Sequence, residues 1–172
     1  DVELIVPFLG GGYGRRSVAD FSILAAKVAA AMPEVPVSVT WSREEDMRND
    51  YYRPAAWGRF RGVVRDGQAV LLDGKIASTS LTNDSTPPED PTEKQMGDRE
   101  LVAGAWDQPY GIPNYRISGH TARTGAPVGY WRSVGASYNG FFFDTFIDEL
   151  AHAAQRDPLQ FRLEMARKEH AP

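Results

Sequence analysis

Four glycines within five positions, in the run Phe8 to Arg16 that reads FLGGGYGRR, leave a stretch of backbone bare between an apolar segment and a helical one. A strand, a bare turn and a helix together make an anion cradle, because free main-chain N–H groups and the positive end of the helix favour a negative partner. A dinucleotide fingerprint needs G-x-G-x-x-G and an acidic residue about twenty positions on for the ribose. Gly10, Gly12 and Gly14 give G-x-G-x-G instead, and Arg15 stands where the third required glycine belongs. The end of the following run offers Thr40 and Trp41 rather than an acid, and no G-K-[ST] follows. A Walker loop is therefore excluded, while a nucleotide- or phosphate-binding module stays open as the alternative reading. Local packing accounts for two or three such glycines; four followed by Arg15 and Arg16 point to a group that approaches the backbone closely.

The second constellation is VGYWRSVGASYNGFFFDTFIDELA, Val128 to Ala151. Arg132 lies in a glycine- and serine-containing turn just ahead of a long helical pattern. A guanidinium there either holds an anion or oxo group through directed donors or caps a nearby carbonyl. Asp144, Asp148 and His152 recur at four-residue spacing with Glu149 beside them, the pattern of a solvated helix face. His120, His152 and His170 lack metal-ligand spacing, which argues against a protein-ligated metal. Asp107 to Tyr110 suits a pocket wall or a plain turn. Trp41, Trp57, Trp106 and Trp131 suit core or interface positions.

These residues need elements to position them. Val2 to Leu9 reads as a buried strand, and Ser17 to Ala31 as a largely apolar helix stopped near Met32–Pro33. Val35 to Trp41 alternates like a second strand, and Ser42 with Glu45 forms a capping-box pattern for a short helix. Arg59–Arg65 and Gln68–Ser80 flank Asp66–Gly67, a hairpin turn pair. Residues 82–99 are polar and proline-rich, an exposed loop or insertion. Tyr115 to Ala122 reads as another strand. Asn139 to Gln155 reads as a helix with Phe143, Phe146, Ile147, Leu150 and Ala154 on one face. Asp157–Pro158 opens a last helix with Leu159, Leu163 and Ala166 as its apolar face and Phe161 beside it. The hairpin breaks strict alternation of strand and helix, so the expected class is α+β, a two-layer mixed sheet packed with helices, rather than a doubly wound sheet.

With 172 residues, 42% of them hydrophobic and 24% charged, the chain has the composition of a soluble globular domain, read here as one domain over 1–172. A formal charge of −4 gives no overall attraction to nucleic acid. The absence of cysteine excludes disulfides and iron–sulfur ligation from this chain, without fixing a compartment, cytoplasmic or periplasmic. No apolar run has the length of a membrane span and no signal peptide is visible. Both ends read as cut, which predicts a piece of a larger polypeptide.

Taken together, FLGGGYGRR, VPVSVTWSREEDMRNDYYRP, GAWDQPYGIPNY and PVGYWRSVGASYNGFFFDTFIDELAHAAQRDPLQFRLE resemble the molybdenum-cofactor-binding subunit of the xanthine dehydrogenase and aldehyde oxidase family. The branch they look most like is the isoquinoline 1-oxidoreductase β subunit and its relatives. The resemblance covers most of the chain outside the polar insertion, and it implies a fragment of an oxidoreductase large subunit. It implies a molybdenum–pterin cofactor, in the cytosine dinucleotide form, caged by Gly11, Gly12, Tyr13 and Gly14 and by Arg132, Ser133, Val134 and Gly135. It implies hydroxylation of an N-heterocycle or oxidation of an aldehyde, with oxygen from water. Partners would be a [2Fe–2S] electron-transfer subunit, the remainder of the large subunit and a small-molecule substrate. The family's general base, a glutamate in a late segment, has no counterpart here, so no catalytic residue is expected and the fragment alone should not turn over. Three departures stand out: Val134 replaces a substrate-stacking phenylalanine, Tyr138 replaces a glutamine, and Tyr13 replaces the more usual phenylalanine.

Overall fold

Asp66 and Gly67 both adopt positive φ, 51° and 70°, which folds the middle of the chain into a tight hairpin. The computed structural model describes residues 3–81 and 98–168. Its backbone divides into two compact units, one of Asp1–Arg53 with Pro127–Arg132 and one of Pro54–Ala126 with Ser133–Pro172.

The second unit holds the sheet. Strands β1 (Ala56–Arg65) and β2 (Gln68–Ser78) are antiparallel, and β3 (Asn114–Thr121) joins β2 in parallel, giving a mixed sheet of order β1-β2-β3. A register shift between Val63 and Val64 marks a bulge. Helices α3 (Ala136–Ala153) and α4 (Pro158–Ala166) complete the unit, with α3 against β1 and α4 against α3. The class is α+β, as the sequence pattern predicts. β1 alternates half-buried and exposed residues along its whole length, as a strand with one covered face must. The covered face meets Phe143, Ile147 and Leu150 of α3 and Phe161 and Met165 of α4. Each such burial contributes about 1.5–3 kcal/mol. Glycine lets the helix sit close: a Cβ at Gly62 would come within 2.6 Å of Leu150.

Asn139, fully buried in α3, donates from Nδ2 to the carbonyls of Leu101 (2.9 Å) and Ala103 (3.0 Å), which ties the helix start to a 3₁₀ turn at Arg99–Leu101. Asn139→Ala strands both carbonyls and is expected to cost about 2–4 kcal/mol, read as a lower midpoint in chemical denaturation.

The first unit contains a 3₁₀ turn at Arg15–Ser17 and two helices, α1 (Asp20–Ala31) and α2 (Arg43–Arg48). The Ser42 side chain accepts from the Glu45 N–H at 3.2 Å, so the cap read from sequence is in place. The Tyr52 N–H donates to Pro127 O (2.8 Å) and the Gly129 N–H to Tyr52 O (3.1 Å), a parallel bridge that draws residues 127–132 into this unit.

Three sequence expectations fail. Residues 3–9 form no strand and stand exposed, Ile5 at 81% and Phe8 fully. Val35–Trp41 forms none either. Branched apolar runs favour extended backbone, but a strand also needs an edge to pair with, and among the described residues neither segment has one. In α4 the buried residues are Phe161 and Met165, four apart, while Leu159 is 62% exposed. The apolar face is turned from the expected one because Phe161 is the side chain that reaches the core. Its cap is as expected, with Asp157 accepting from the Gln160 N–H at 2.9 Å. Most of the polar insertion, 82–97, lies outside the described residues, as does His170; Asp98 and Arg99 begin the 3₁₀ turn.

Candidate functional site

The glycine loop closes as a turn in which the Arg15 N–H donates to Gly12 O (2.9 Å) and the Ser17 N–H to Gly14 O (3.0 Å). Tyr13 and Gly14 both take positive φ, 50° and 99°. Gly14 lies directly against Tyr130: a Cβ built there would fall 1.8 Å from the Tyr130 carbonyl oxygen. The glycine loop and the opening of the second constellation, residues 128–132, more than a hundred residues apart in sequence, therefore meet within the first unit. The close approach at Gly14 is made by the chain's own backbone. Gly11 likewise lies under the Tyr13 ring, at 2.8 Å from a built Cβ, whereas Gly10 faces open space. Among the described residues, no acceptor takes the N–H groups of Gly10 to Gly14.

Arg15 explains why no third glycine is needed. Its side chain, 17% exposed, turns inward and binds both carboxylate oxygens of Asp20 at 3.0 Å, with Asp50 at 3.4 Å and Asp46 at 3.6 Å. The guanidinium also lies over the rings of Phe21, Trp41 and Tyr51 at 5.5–5.8 Å. The Asp20 hydrogen bonds push the Arg15 pKa up further. Burial works to raise the Asp20 carboxyl, but Arg15 and the Phe21 N–H (2.8 Å) outweigh it and hold the carboxyl below its ordinary value. Arg16 sits over the Phe21 ring at 4.8 Å. Neither arginine serves as the third element of a dinucleotide fingerprint.

Arg132 is exposed, and its carbonyl accepts from Arg53 at 3.1 Å. Beside it the Trp131 indole N–H donates to Tyr51 O at 2.9 Å, and Arg53 lies over the indole ring at 6.0 Å. Tyr51 and Arg53 thus fix the backbone that carries Arg132, a role that sequence reading missed because nothing local marks it.

In the second unit, Ser133 and Val134 follow with φ of 62° and 43°. Two successive non-glycine residues in the left-handed region, one β-branched, store about 1–3 kcal/mol each. The surroundings hold them there. The Ser137 hydroxyl donates to Val134 O (2.9 Å), and Gly135 lies under Glu100, whose carbonyl oxygen would be 1.7 Å from a Cβ. Burial pushes the Tyr138 phenol pKa up, and its hydroxyl donates to Leu101 O at 3.3 Å. Tyr138 is thus engaged in packing. The crevice lined by Val134, Gly135, Tyr138 and Leu101 holds about 10 Å³, room for one water at most.

The remaining candidates have structural places. Asp107 accepts from the Gly104 N–H (2.7 Å), and buried Gln108 bonds the Tyr110 backbone at both ends of its amide, so this segment is a plain turn. Asp144 and Asp148 are exposed and pair with Arg162 of α4. Trp57, Trp106 and Trp131 are 58%, 52% and 42% exposed and do not form core. Among the described residues no three His, Asp or Glu side chains gather into a metal-binding group.

The profile of the "Molybdopterin cofactor-binding domain" matches residues 1–166. The isoquinoline 1-oxidoreductase subunit beta of Brevundimonas diminuta is 29% identical over 92% of this chain and 20% of its own length. A membrane-bound aldehyde dehydrogenase [pyrroloquinoline-quinone] of Gluconacetobacter polyoxogenes is 30% identical over 91% of the chain and 21% of its own. The putative xanthine dehydrogenase molybdenum-binding subunit XdhA of Escherichia coli K12 is 30% identical over 98% and 22%. The chain spans about a fifth of the length of these curated relatives.

Proposed function

The chain belongs to the molybdopterin cofactor-binding domain family, and from that premise we propose that it supplies part of the cofactor cage of a molybdenum hydroxylase acting on an N-heterocycle or an aldehyde. The observation that carries the reading is the seating of Gly14 on Tyr130, which brings a row of main-chain donors beside the segment that ends in Arg132. The donor set suits an oxo-anionic group: amides at Gly11, Gly12, Tyr13 and Gly14, and a guanidinium at Arg132. Ser133, Val134 and Gly135 continue from Arg132, and the strained turn they form directs the chain into α3. Arg15 contributes by tying up three carboxylates that would otherwise oppose an anion beside the loop.

When bound, the molybdenum–pterin group, in its cytosine dinucleotide form, supplies the two-electron oxidation, with water as the source of oxygen. This chain's residues hold and orient it. Among the described residues, the carboxylates nearest to a general-base role are otherwise placed: Asp144 and Asp148 pair with Arg162, and Glu149 stands exposed on α3. Residues 1–172 alone are therefore expected to give no turnover. Electrons would leave through a [2Fe–2S] partner subunit, because a cysteine-free chain ligates no cluster.

Arg132→Gln in the full-length gene product tests the reading. The side chain is exposed, so thermal unfolding should be nearly unchanged, while molybdenum content by elemental analysis falls about 10–100-fold with the loss of charge-assisted hydrogen bonds. Wild-type molybdenum content and wild-type turnover in that variant would overturn it.

A further inference from the structure

The first unit has no core of its own. Among its described residues Gly129 alone is buried. Helix α1 is apolar nearly all round, with Lys27 as its one charge after Asp20, yet none of its residues is buried and Ile23 and Leu24 stand exposed. A helix of that composition belongs inside a protein. Residues 3–9 are bare on both sides of the chain, with Leu4, Val6 and Phe8 on one and Ile5 and Leu9 on the other. Residues 35–41 alternate towards their end as a strand with one covered face does: Val37, Val39 and Trp41 are half-buried, Ser38 and Thr40 exposed. Among the described residues, no backbone group bonds to the N–H or C=O groups of residues 3–9 or 36–41.

Unpaired extended backbone on an apolar sequence is a template for another strand. The order extended, helix, extended around α1 is that of a crossover unit, whose two strands run parallel in one sheet. Whatever completes this sheet must be present whenever the unit is folded. Without buried apolar area there is little to set against a backbone entropy of about 1–2 kcal/mol per residue. From Leu4 to Gly14 the chain carries no charge, and over residues 21–33 only Lys27. So charge-poor a surface has the composition of a core cut open rather than of a transient docking face. Residues 82–97 do not have the sequence to fill it, with three prolines and Met96 as their one large apolar side chain. Linkage on one polypeptide holds a complementary segment at about millimolar effective concentration. The curated relatives that this chain matches have most of their length outside the matched part.

We infer that residues 3–9 and 35–41 become strands by pairing with strands that the same polypeptide contributes from outside residues 1–172, and that this part also covers the apolar surface of α1. The arm that enters Gly10 is then anchored, so the glycine loop is presented from a strand at one end and a helix at the other.

The test uses the full-length gene product as isolated. Its amides at residues 4–6, 8–9 and 37–41 should exchange with solvent at least about 100-fold more slowly than those of a free chain. Phe8→p-benzoylphenylalanine, and separately Ile5→p-benzoylphenylalanine for the opposite side, places a photoreactive ketone on the bare apolar segment. On irradiation the adduct should keep the mass of a single polypeptide and map by mass spectrometry to residues outside 1–172. Free-chain exchange at these amides would overturn the inference, as would no adduct from either probe. So would an adduct within residues 1–172, with 82–97 included, or one with a second copy or a separate subunit. Neither readout involves molybdenum, so the strand pairing and the cofactor assignment can fail separately.

Discussion

Gly14→Ala is expected to uncouple the glycine loop from the segment that bears Arg132 and to leave the full-length protein without molybdenum. The new Cβ would fall 1.8 Å from the Tyr130 carbonyl oxygen and 2.9 Å from the Trp131 nitrogen. Backbone meets backbone there, so no change of rotamer relieves the collision. The residue must also hold a φ of 99°, which by itself costs a non-glycine residue about 1–3 kcal/mol. The loop and residues 127–132 must therefore separate. Hydrogen exchange should show faster exchange at the Tyr52 and Gly129 amides, which are hydrogen-bonded across the bridge. Gly10→Ala is the matched control, since nothing lies within 4 Å of its built Cβ and its effect on stability should be close to zero. Equal stability and metal content in the two variants would mean that Gly14 is not seated on Tyr130.

Arg15→Gln should also be strongly destabilising, at about 2–3 kcal/mol. Removing one partner from a buried ion pair costs about 3–5 kcal/mol, and the partial exposure of Asp20, Asp46 and Asp50 reduces that through solvent screening. Three ring contacts are lost as well. Arg15→Lys keeps the charge but not the two-point fork to Asp20, so it should recover only part of the loss. The pH dependence follows from Asp20. Its carboxyl titrates lower in the folded chain than in the unfolded one. Its contribution is therefore complete above the unfolded value of about 4 and is lost as pH falls through the folded value. Denaturant midpoints measured from neutral pH down to about 3 should show this acid loss in the wild type and a flatter profile in Arg15→Gln. The same slope in both proteins would show that Asp20 does not act through Arg15.

Local signals predicted local features well. Asp66–Gly67 specified the hairpin, Ser42–Glu45 and Asp157–Pro158 specified helix starts, and the spacing of Phe143, Ile147 and Leu150 identified the buried stripe of α3. Each depends on dihedral preference, capping or periodicity over a few residues, which a sequence states directly. The same signals failed where pairing decides. Residues 3–9 and Val35–Trp41 have the composition of strands, but among the described residues no neighbour pairs with them. In α4 two apolar stripes were available, and only contact with the core selects Phe161 and Met165 over Leu159 and Leu163.

For the site, the sequence alone determined which residue types stand ready: a bare glycine loop, a guanidinium ahead of a long helix, and a chain with no cysteine. It did not reveal that Arg15 turns inward onto three carboxylates, that Tyr51 and Arg53 fix the backbone around Arg132, or that Val134 is held in a left-handed conformation. It did not show that Gly14 meets Tyr130 either. These are contacts between positions far apart in the chain, and their energies depend on distance in space. Only the folded backbone brings such groups within reach of one another.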